Sequence, residues 1–343
     1  MNTVPKLWLL SGGRLGDLKQ MRALAQALSW PCEEKHLTFG FDTMPIAASW
    51  FVVPTIRSLM REQLPDLILC SEANCAALAQ AIRRKSRGRI KVVALGRPLG
   101  HPRNVDLVVT TAQYGLAPGP KTVELTLPLG VGAASTAKSS DVTLLLVGGA
   151  SAPDQLDTPI AEKMLRDVHQ ATTKTGHRLV VVTSPRTPPN ATSALKNSIQ
   201  PPHEFIAFGD KARPYAALLA EAAHIIVTSD SVSMVSDAVA ARRPVSIYRL
   251  PSKPGPLQRF SEFLQRPGAR FLAGWIFDFG IVETIADRQR FFNGLAEMGL
   301  ISWFGDGLTP TARYSPDDDL QRAAAAVKAL LNHRGGSVKP PLK

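Results

Sequence analysis

The sequence predicts two doubly wound, Rossmann-like α/β domains in tandem, facing each other across a cleft. Short apolar runs alternate with amphipathic helical stretches along most of the chain, the pattern of a parallel sheet covered on both faces. The alternation lapses once, in a small-residue stretch at 131–140, and then resumes. The 343 residues also suffice for two domains at roughly 150 residues each. These observations divide the chain into an N-terminal domain over 1–130, a linker over 131–140, a C-terminal domain over 141–335 that includes a terminal helix, and a flexible tail over 336–343.

In chain order, Leu7–Leu10 is a short apolar strand. Asp17–Leu28 follows as a helix with Leu18, Met21, Leu24, Ala25 and Leu28 on one face. Leu67–Cys70 reads as a buried strand and Asn74–Arg84 as an alanine-rich helix, and Lys91–Leu95 and Leu107–Thr110 continue the strands. Beyond the linker come strands at Val142–Val147, Arg178–Thr183, Phe205–Phe208, Ile225–Thr228 and Val245–Tyr248, with helices at Asp157–Thr175, Tyr215–Ala222 and Met234–Ala241. The last helix runs over Asp317–Asn332. Ser315 is its cap, Pro316 takes the first helical position, and Asp317, Asp318 and Asp319 complement the dipole in the first turn.

Composition excludes several classes. Apolar residues make up 45% and charged residues 20%, which is neither a disordered nor a collagen-like balance. No apolar run approaches the roughly 18–20 residues of a membrane span, and the opening strand is too short for a signal-peptide core. Three cysteines without a CxxC pair argue against a disulfide framework and a structural zinc, and the seven histidines form no metal-binding pattern. A cytoplasmic location follows as the expectation.

The net charge is +12, with 17 basic against 9 acidic groups in the first 140 residues, so anionic partners are favoured. The run Arg83-Arg84-Lys85-Ser86-Arg87-Gly88-Arg89 reads either as a solvated helix end or as a surface for acidic lipid. Nucleic acid is not expected, because no aromatic residue interleaves the charges. The apolar stretch 46–54, with Arg57 and Arg61 beyond it, either packs in the core or attaches the N-terminal domain peripherally to an acidic inner-membrane surface.

Three loops carry candidate chemistry. Ser11-Gly12-Gly13-Arg14-Leu15-Gly16-Asp17 joins the first strand to the first helix, where glycines admit a close ligand and the helix start attracts an anion; a plain tight turn is the other reading. Neither GxGxxG nor the Walker pattern is present. Val147-Gly148-Gly149-Ala150-Ser151 repeats this arrangement in the second domain. The third, Thr228-Ser229-Asp230-Ser231-Val232-Ser233-Met234-Val235-Ser236-Asp237, ends a buried strand in hydroxyls and carboxylates and opens a helix at once. Ser231 or Ser233 can cap that helix. Asp237 lies beyond the cap, placed to accept hydrogen bonds from a ribose diol while the helix end holds a diphosphate.

Together these loops resemble the two-domain GT-B architecture of glycosyltransferases, and more closely the Elm-type bacterial glycosyltransferases, whose plant relatives are named for mitochondrial fission. The match rests on GGRLGD with Gln20, on Val182-Thr183-Ser184-Pro185-Arg186-Thr187-Pro188, and on TSDSVSMVSDA before Arg243-Pro244-Val245. The resemblance implies a nucleotide-sugar donor in the C-terminal domain and an acceptor on the N-terminal side; no cofactor is expected. Asp17 stands where members of this architecture carry a histidine base, and Asp237 where a ribose-binding glutamate is usual.

The resulting reading is a metal-independent transfer of sugar from a nucleotide-sugar to a lipid-linked or other cell-envelope acceptor. Gly148, Gly149, Ser151, Ser231 and Ser233 are expected at the diphosphate, Asp237 at the ribose, Thr183, Ser184 and Arg186 along the donor, and Asp230 among the donor-binding residues, Arg186 offsetting charge on the leaving group. Gly12, Gly13, Arg14, Gly16 and Gln20 form the acceptor-side loop. Asp17 is the base, with His101 second in line. Two alternatives remain: sugar-nucleotide epimerisation, for which Asp17, Glu72 and His101 are the few acid/base candidates, and a non-catalytic protein that binds membranes or partners.

Overall fold

The computed structural model describes residues 4–37, 57–71, 73–98, 104–130, 140–210, 213–253, 255, 259, 287–307 and 314–332. His101, Glu72 and the stretch 46–54 lie outside the described residues. Two units emerge: one takes Met1–Gly130 together with the terminal segment from Asp317, the other Val131–Glu262 together with Asp287–Pro316.

The first unit is a six-stranded parallel sheet. Its strands are β1 (Leu7–Ser11), β2 (Cys32–His36), β3 (Leu67–Cys70), β4 (Lys91–Leu95), β5 (Leu107–Thr111) and β6 (Thr122–Leu125), in the order β2-β1-β3-β4-β5-β6. Helix α1 (Leu15–Leu28) follows β1, and α2 (Ala73–Lys85) follows β3. Alternation along β1 serves both faces. Leu7 and Leu9 pack with Met21 and Leu24 of α1, while Trp8 and Leu10 pack with Leu78 and Ile82 of α2. The basic run at the end of α2 is partly structural. Arg83 donates twice to Asp106, at 2.8 and 3.1 Å, and Lys91 lies 3.3 Å from the same carboxylate. Against the cost of burial, the Arg83 guanidinium and the Val92 N–H hold Asp106 below its ordinary range. Arg84, Lys85, Arg87 and Arg89 remain exposed.

The second unit repeats the plan with β7 (Val142–Val147), α3 (Thr158–Thr175), β8 (Arg178–Thr183), α4 (Pro189–Ser198), β9 (Glu204–Ile206), α5 (Tyr215–Glu221), β10 (His224–Thr228), α6 (Val232–Ala240), β11 (Val245–Tyr248), α7 (Arg288–Glu297) and β12 (Ser302–Trp303). Its sheet, parallel throughout, runs β9-β8-β7-β10-β11-β12, the strand order of a dinucleotide-binding Rossmann fold. One face carries Leu145, Val147, Leu179, Val181 and Ile226 against Met164, Leu165 and Val168 of α3.

Several elements lack an apolar signature in the sequence. β2 reads Cys-Glu-Glu-Lys-His and is an edge strand, so no core face imposes a pattern on it. β6 is the opposite edge. The terminal helix α8 (Pro316–Asn332) corrects the domain assignment. It belongs to the first unit, where its small-residue face, Ala323, Ala324 and Val327, joins the cluster of Leu7, Leu9 and Leu24.

Asp319 reinforces that placement. Its buried carboxylate accepts the Thr126 N–H at 2.7 Å and the Arg322 guanidinium at 2.6 Å, whereas Asp317 and Asp318 are exposed. Asp319→Ala is therefore expected to destabilise the protein by about 1.5–3 kcal/mol in urea melts, and Asp317→Ala or Asp318→Ala by less than about 0.5 kcal/mol. Equal effects at all three positions would reduce Asp319 to a dipole contribution.

Candidate functional site

In sheets of this kind ligands bind beyond the carboxyl ends of the strands, at the point where strand order reverses. In the second unit that point lies between β7 and β10, which pair directly, Leu146 opposite Val227. Gly148 and Gly149 follow β7, and Asp230 and Ser231 follow β10. The side chain of Asp230 is fully buried, at 0% exposure. It accepts the Gly149 N–H at 2.7 Å and the Thr228 hydroxyl at 2.6 Å, and that hydroxyl in turn accepts the Gly148 N–H at 2.8 Å.

This arrangement explains both glycines. A Cβ on Gly148 would stand 2.2 Å from Asp230 Oδ1, and one on Gly149 would stand 2.3 Å from the Arg186 carbonyl oxygen. Both glycine N–H groups are engaged inside the protein, that of Gly149 by Asp230 and that of Gly148 by Thr228. Ser231 is the N-cap of α6, accepting the Met234 N–H at 3.4 Å, and Ser233 is exposed. The N–H groups of Val232 and Ser233 precede the first intrahelical bond of α6 and carry the positive end of its dipole.

Arg186 completes the constellation from the β8 side. The turn that presents it is tied by Ser184 and Thr187: the Ser184 N–H donates to Thr187 Oγ1 at 2.9 Å, and the Arg186 N–H to Ser184 Oγ at 3.2 Å. Its half-exposed guanidinium donates to Ser151 Oγ at 2.5 Å and Ser231 Oγ at 3.3 Å, and lies 3.6 Å from Asp230 Oδ2. Thr183 is buried and accepts the Phe208 N–H at 3.0 Å. The structure thus brings Gly148, Gly149, Ser151, Ser184, Arg186, Asp230 and Ser231 into one cluster.

Arg288 of α7 was not foreseen. It donates to the Asp230 carbonyl at 2.8 Å and to the Ser151 and Ala152 carbonyls at 3.2 Å, and pairs with Asp154 at 3.3 Å. It lies 58 residues from Asp230, and no local pattern announces it. Burial pushes the Asp154 carboxyl above its ordinary range; Arg288 opposes this and the charge of Asp230 adds to it. Asp237 is partly exposed on α6. Burial, and then the charge of Asp237, raises the Tyr215 hydroxyl well above its usual range.

In the first unit, the loop after β1 likewise sits where strand order reverses, between β1 and β3. Gly12, Gly13, Arg14 and Gly16 are exposed, and Asp17 and Gln20 are partly buried on α1. Gly13 adopts φ +105°, in the left-handed region, and donates its N–H to Ser11 Oγ at 3.1 Å. Among the described residues no group of three or more histidine, cysteine or acidic side chains could hold a metal ion, and no helix is long and apolar enough to cross a membrane.

Comparison with known proteins agrees with the architecture. A family model for mitochondrial fission ELM1 matches residues 16–271. No curated protein matches the sequence. Among solved structures, MurG of Acinetobacter baumannii is 12% identical with a TM-score of 0.50, over 96% of this chain and 95% of its own. UDP-GlcNAc 2-epimerase of Neisseria meningitidis, bound to UDP-GlcNAc, is 10% identical with a TM-score of 0.53, over 95% and 100%. The UDP-GlcNAc 2-epimerase of Methanocaldococcus jannaschii is 14% identical with a TM-score of 0.51, over 95% and 92%. The fold is that of the GT-B class.

Gly148→Ala is expected to destabilise the protein by about 1–3 kcal/mol or more, because the added methyl displaces the Asp230 carboxylate. Gly16→Ala, with nothing within 4 Å of the new Cβ, should be neutral or stabilising by up to about 1 kcal/mol within α1. Thermal melts of both variants check this, and a fully stable Gly148→Ala would contradict the packing described.

Proposed function

The chain belongs to the mitochondrial fission ELM1 family, and we propose that it is a glycosyltransferase that moves a sugar from a nucleotide-sugar to an acceptor hydroxyl. The observation that carries the reading is the Arg186 guanidinium bridging Ser151 and Ser231 at the start of α6. A guanidinium and a helix N-terminus together suit a diphosphate, and both oppose the charge that grows on it as the sugar leaves. On this reading Arg186 and the α6 start supply that charge compensation in place of a metal. Arg288 steadies the loop after β7 against the α6 start, and Asp230 fixes the relative positions of the three loops.

Asp237 is assigned to the ribose diol, one turn and a half into α6. Asp17, at the loop after β1, is assigned as the base that takes the acceptor's proton. The acceptor is proposed to be lipid-linked or another cell-envelope hydroxyl, reached from the cytoplasmic side with peripheral attachment to an acidic membrane surface. The Neisseria epimerase structure, with UDP-GlcNAc bound, makes a uridine nucleotide sugar the first donor to try.

The test is incubation of the pure protein with a panel of nucleotide sugars, reading nucleotide release and sugar product. Acceptor-dependent release supports transfer. An isomerised nucleotide sugar formed without acceptor would reassign the chemistry to epimerisation, and binding without turnover would make the protein a non-catalytic binder. Asp237→Ala should weaken nucleotide-sugar binding by about 1.5–3 kcal/mol, roughly ten- to a hundred-fold, while leaving inorganic pyrophosphate binding unchanged. Asp17→Asn should abolish turnover and spare donor affinity, because a base acts only when the acceptor's proton moves. Parallel loss of donor affinity would make Asp17 a binding or structural residue.

A further inference from the structure

The α3 face of the second sheet changes character from one end of its strands to the other. Toward the carboxyl ends it is apolar, with Leu145, Val147, Val181 and Ile226 packed under α3. Toward the amino ends, four neighbouring strands place polar side chains on the same face. Thr143 of β7 lies opposite His224 of β10, Ser246 of β11 opposite Ile226, and Ser302 of β12 opposite Ser246. Thr143, Ser246 and Ser302 are buried, where valine would need no partner. The polar row is bonded along its length instead. Thr143 Oγ1 lies 3.1 Å from His177 Nδ1, His224 Nε2 lies 2.9 Å from Ser246 Oγ, and Ser246 Oγ lies 3.0 Å from Ser302 Oγ.

A cavity of about 460 Å³ opens over this row, a volume within the range of small-molecule sites. It is lined by Thr143, His224 and Ser246 of the sheet, Asp167 and Gln170 of α3, and Phe304 just after β12. The ionised groups of the lining, Asp167 and the exposed Lys174, balance each other. Lys163 at 2.5 Å and the Tyr248 hydroxyl at 2.7 Å both donate to Asp167 Oδ2, and against the cost of burial they hold that carboxyl below its ordinary range. Both bonds fall on one oxygen, so Oδ1 can accept from a ligand. Burial, and then the nearby His177, lower the His224 imidazole to about 4. The ring is therefore neutral near pH 7 and offers one donor and one acceptor. Hydroxyls, an amide, a neutral imidazole and a carboxylate oxygen, set beside an aromatic ring, suit a ligand whose groups both donate and accept and whose ring has an apolar face. We infer that this cavity binds a neutral sugar, at the opposite end of the strands from the Arg186 cluster. The inference uses no residue of the donor site and does not rest on that reading.

Amide spectra of the 15N-labelled protein, titrated with glucose, galactose and N-acetylglucosamine up to about 50 mM, test the proposal. At least one of the three is expected to bind with millimolar affinity and to move the Thr143, His224, Ser246 and Gly305 amides, with Val232 and Ser233 unmoved. Ala171→Phe, which adds a ring to the lining from α3, should weaken that sugar at least about tenfold. Gln170→Ala, at an exposed helical position where folding is spared, should weaken it a few-fold. No shift at the cavity amides with any of the three sugars overturns the proposal. Shifts centred on Val232 and Ser233 instead also overturn it, because they put the sugar at the donor cluster. Unchanged affinity in a folded Ala171→Phe overturns it as well, and Gln170→Ala decides the same point if Ala171→Phe does not fold. A chain that binds a sugar here and no nucleotide elsewhere upholds this proposal and removes the donor-site reading alone.

Discussion

A carboxylate with no exposure to water organises the second unit's site. Asp230 is shielded at the switch point of the sheet, where an unpaired charge would cost several kcal/mol. Its stability there depends on being surrounded by donors: the Gly149 N–H, the Thr228 hydroxyl, and the Arg186 guanidinium at 3.6 Å. These donors come from three separate strand ends, so one buried charge sets the geometry of three loops. The two glycines after β7 follow from it, since any side chain at Gly148 would occupy the carboxylate's space. Arg288 completes the enclosure by binding the backbone carbonyl of the same residue.

This arrangement separates support from recognition. The Gly149 N–H holds Asp230 directly and the Gly148 N–H holds it through Thr228, whereas the groups that reach water are the Arg186 guanidinium and Ser233 in the first turn of α6. Arg186 belongs to both sets, because it touches the buried carboxylate on one side and the serine hydroxyls on the other. An anion arriving at the α6 start would therefore meet a cation already oriented, with little side-chain freedom left to lose.

Much of this was legible in the sequence, and for identifiable reasons. Buried parallel strands such as Leu67–Cys70 and Val142–Val147 announce themselves as continuous apolar runs, and both lie where they were expected. The loops after β7 and β10 were legible because hydroxyl, carboxylate and glycine residues interrupt such runs abruptly. Edge strand β2 was not, since a strand with one neighbour and no buried face needs no apolar pattern. The terminal helix is legible as a helix but its domain is not, because sequence order carries no information about which sheet a small-residue face will meet. Arg288 has no local signal for a similar reason: three of its partners are backbone carbonyls, which leave no trace in residue types, and the fourth, Asp154, is distant in sequence. The engagement of Gly148 and Gly149 inside the protein could not be foreseen, because a glycine turn that binds a ligand and one that binds a buried carboxylate have the same sequence.

Asp230 takes the Gly149 N–H and Thr228 takes the Gly148 N–H, which on the proposed function leaves the start of α6 to receive a phosphate. Amide resonances of the 15N-labelled protein, followed during titration with a nucleoside diphosphate, test this most directly. Large shifts are expected at Val232 and Ser233 and at the Arg186 side chain, with the Gly149 amide retaining the signature of its bond to Asp230. The largest shift at Gly149, with Val232 and Ser233 unmoved, would contradict it.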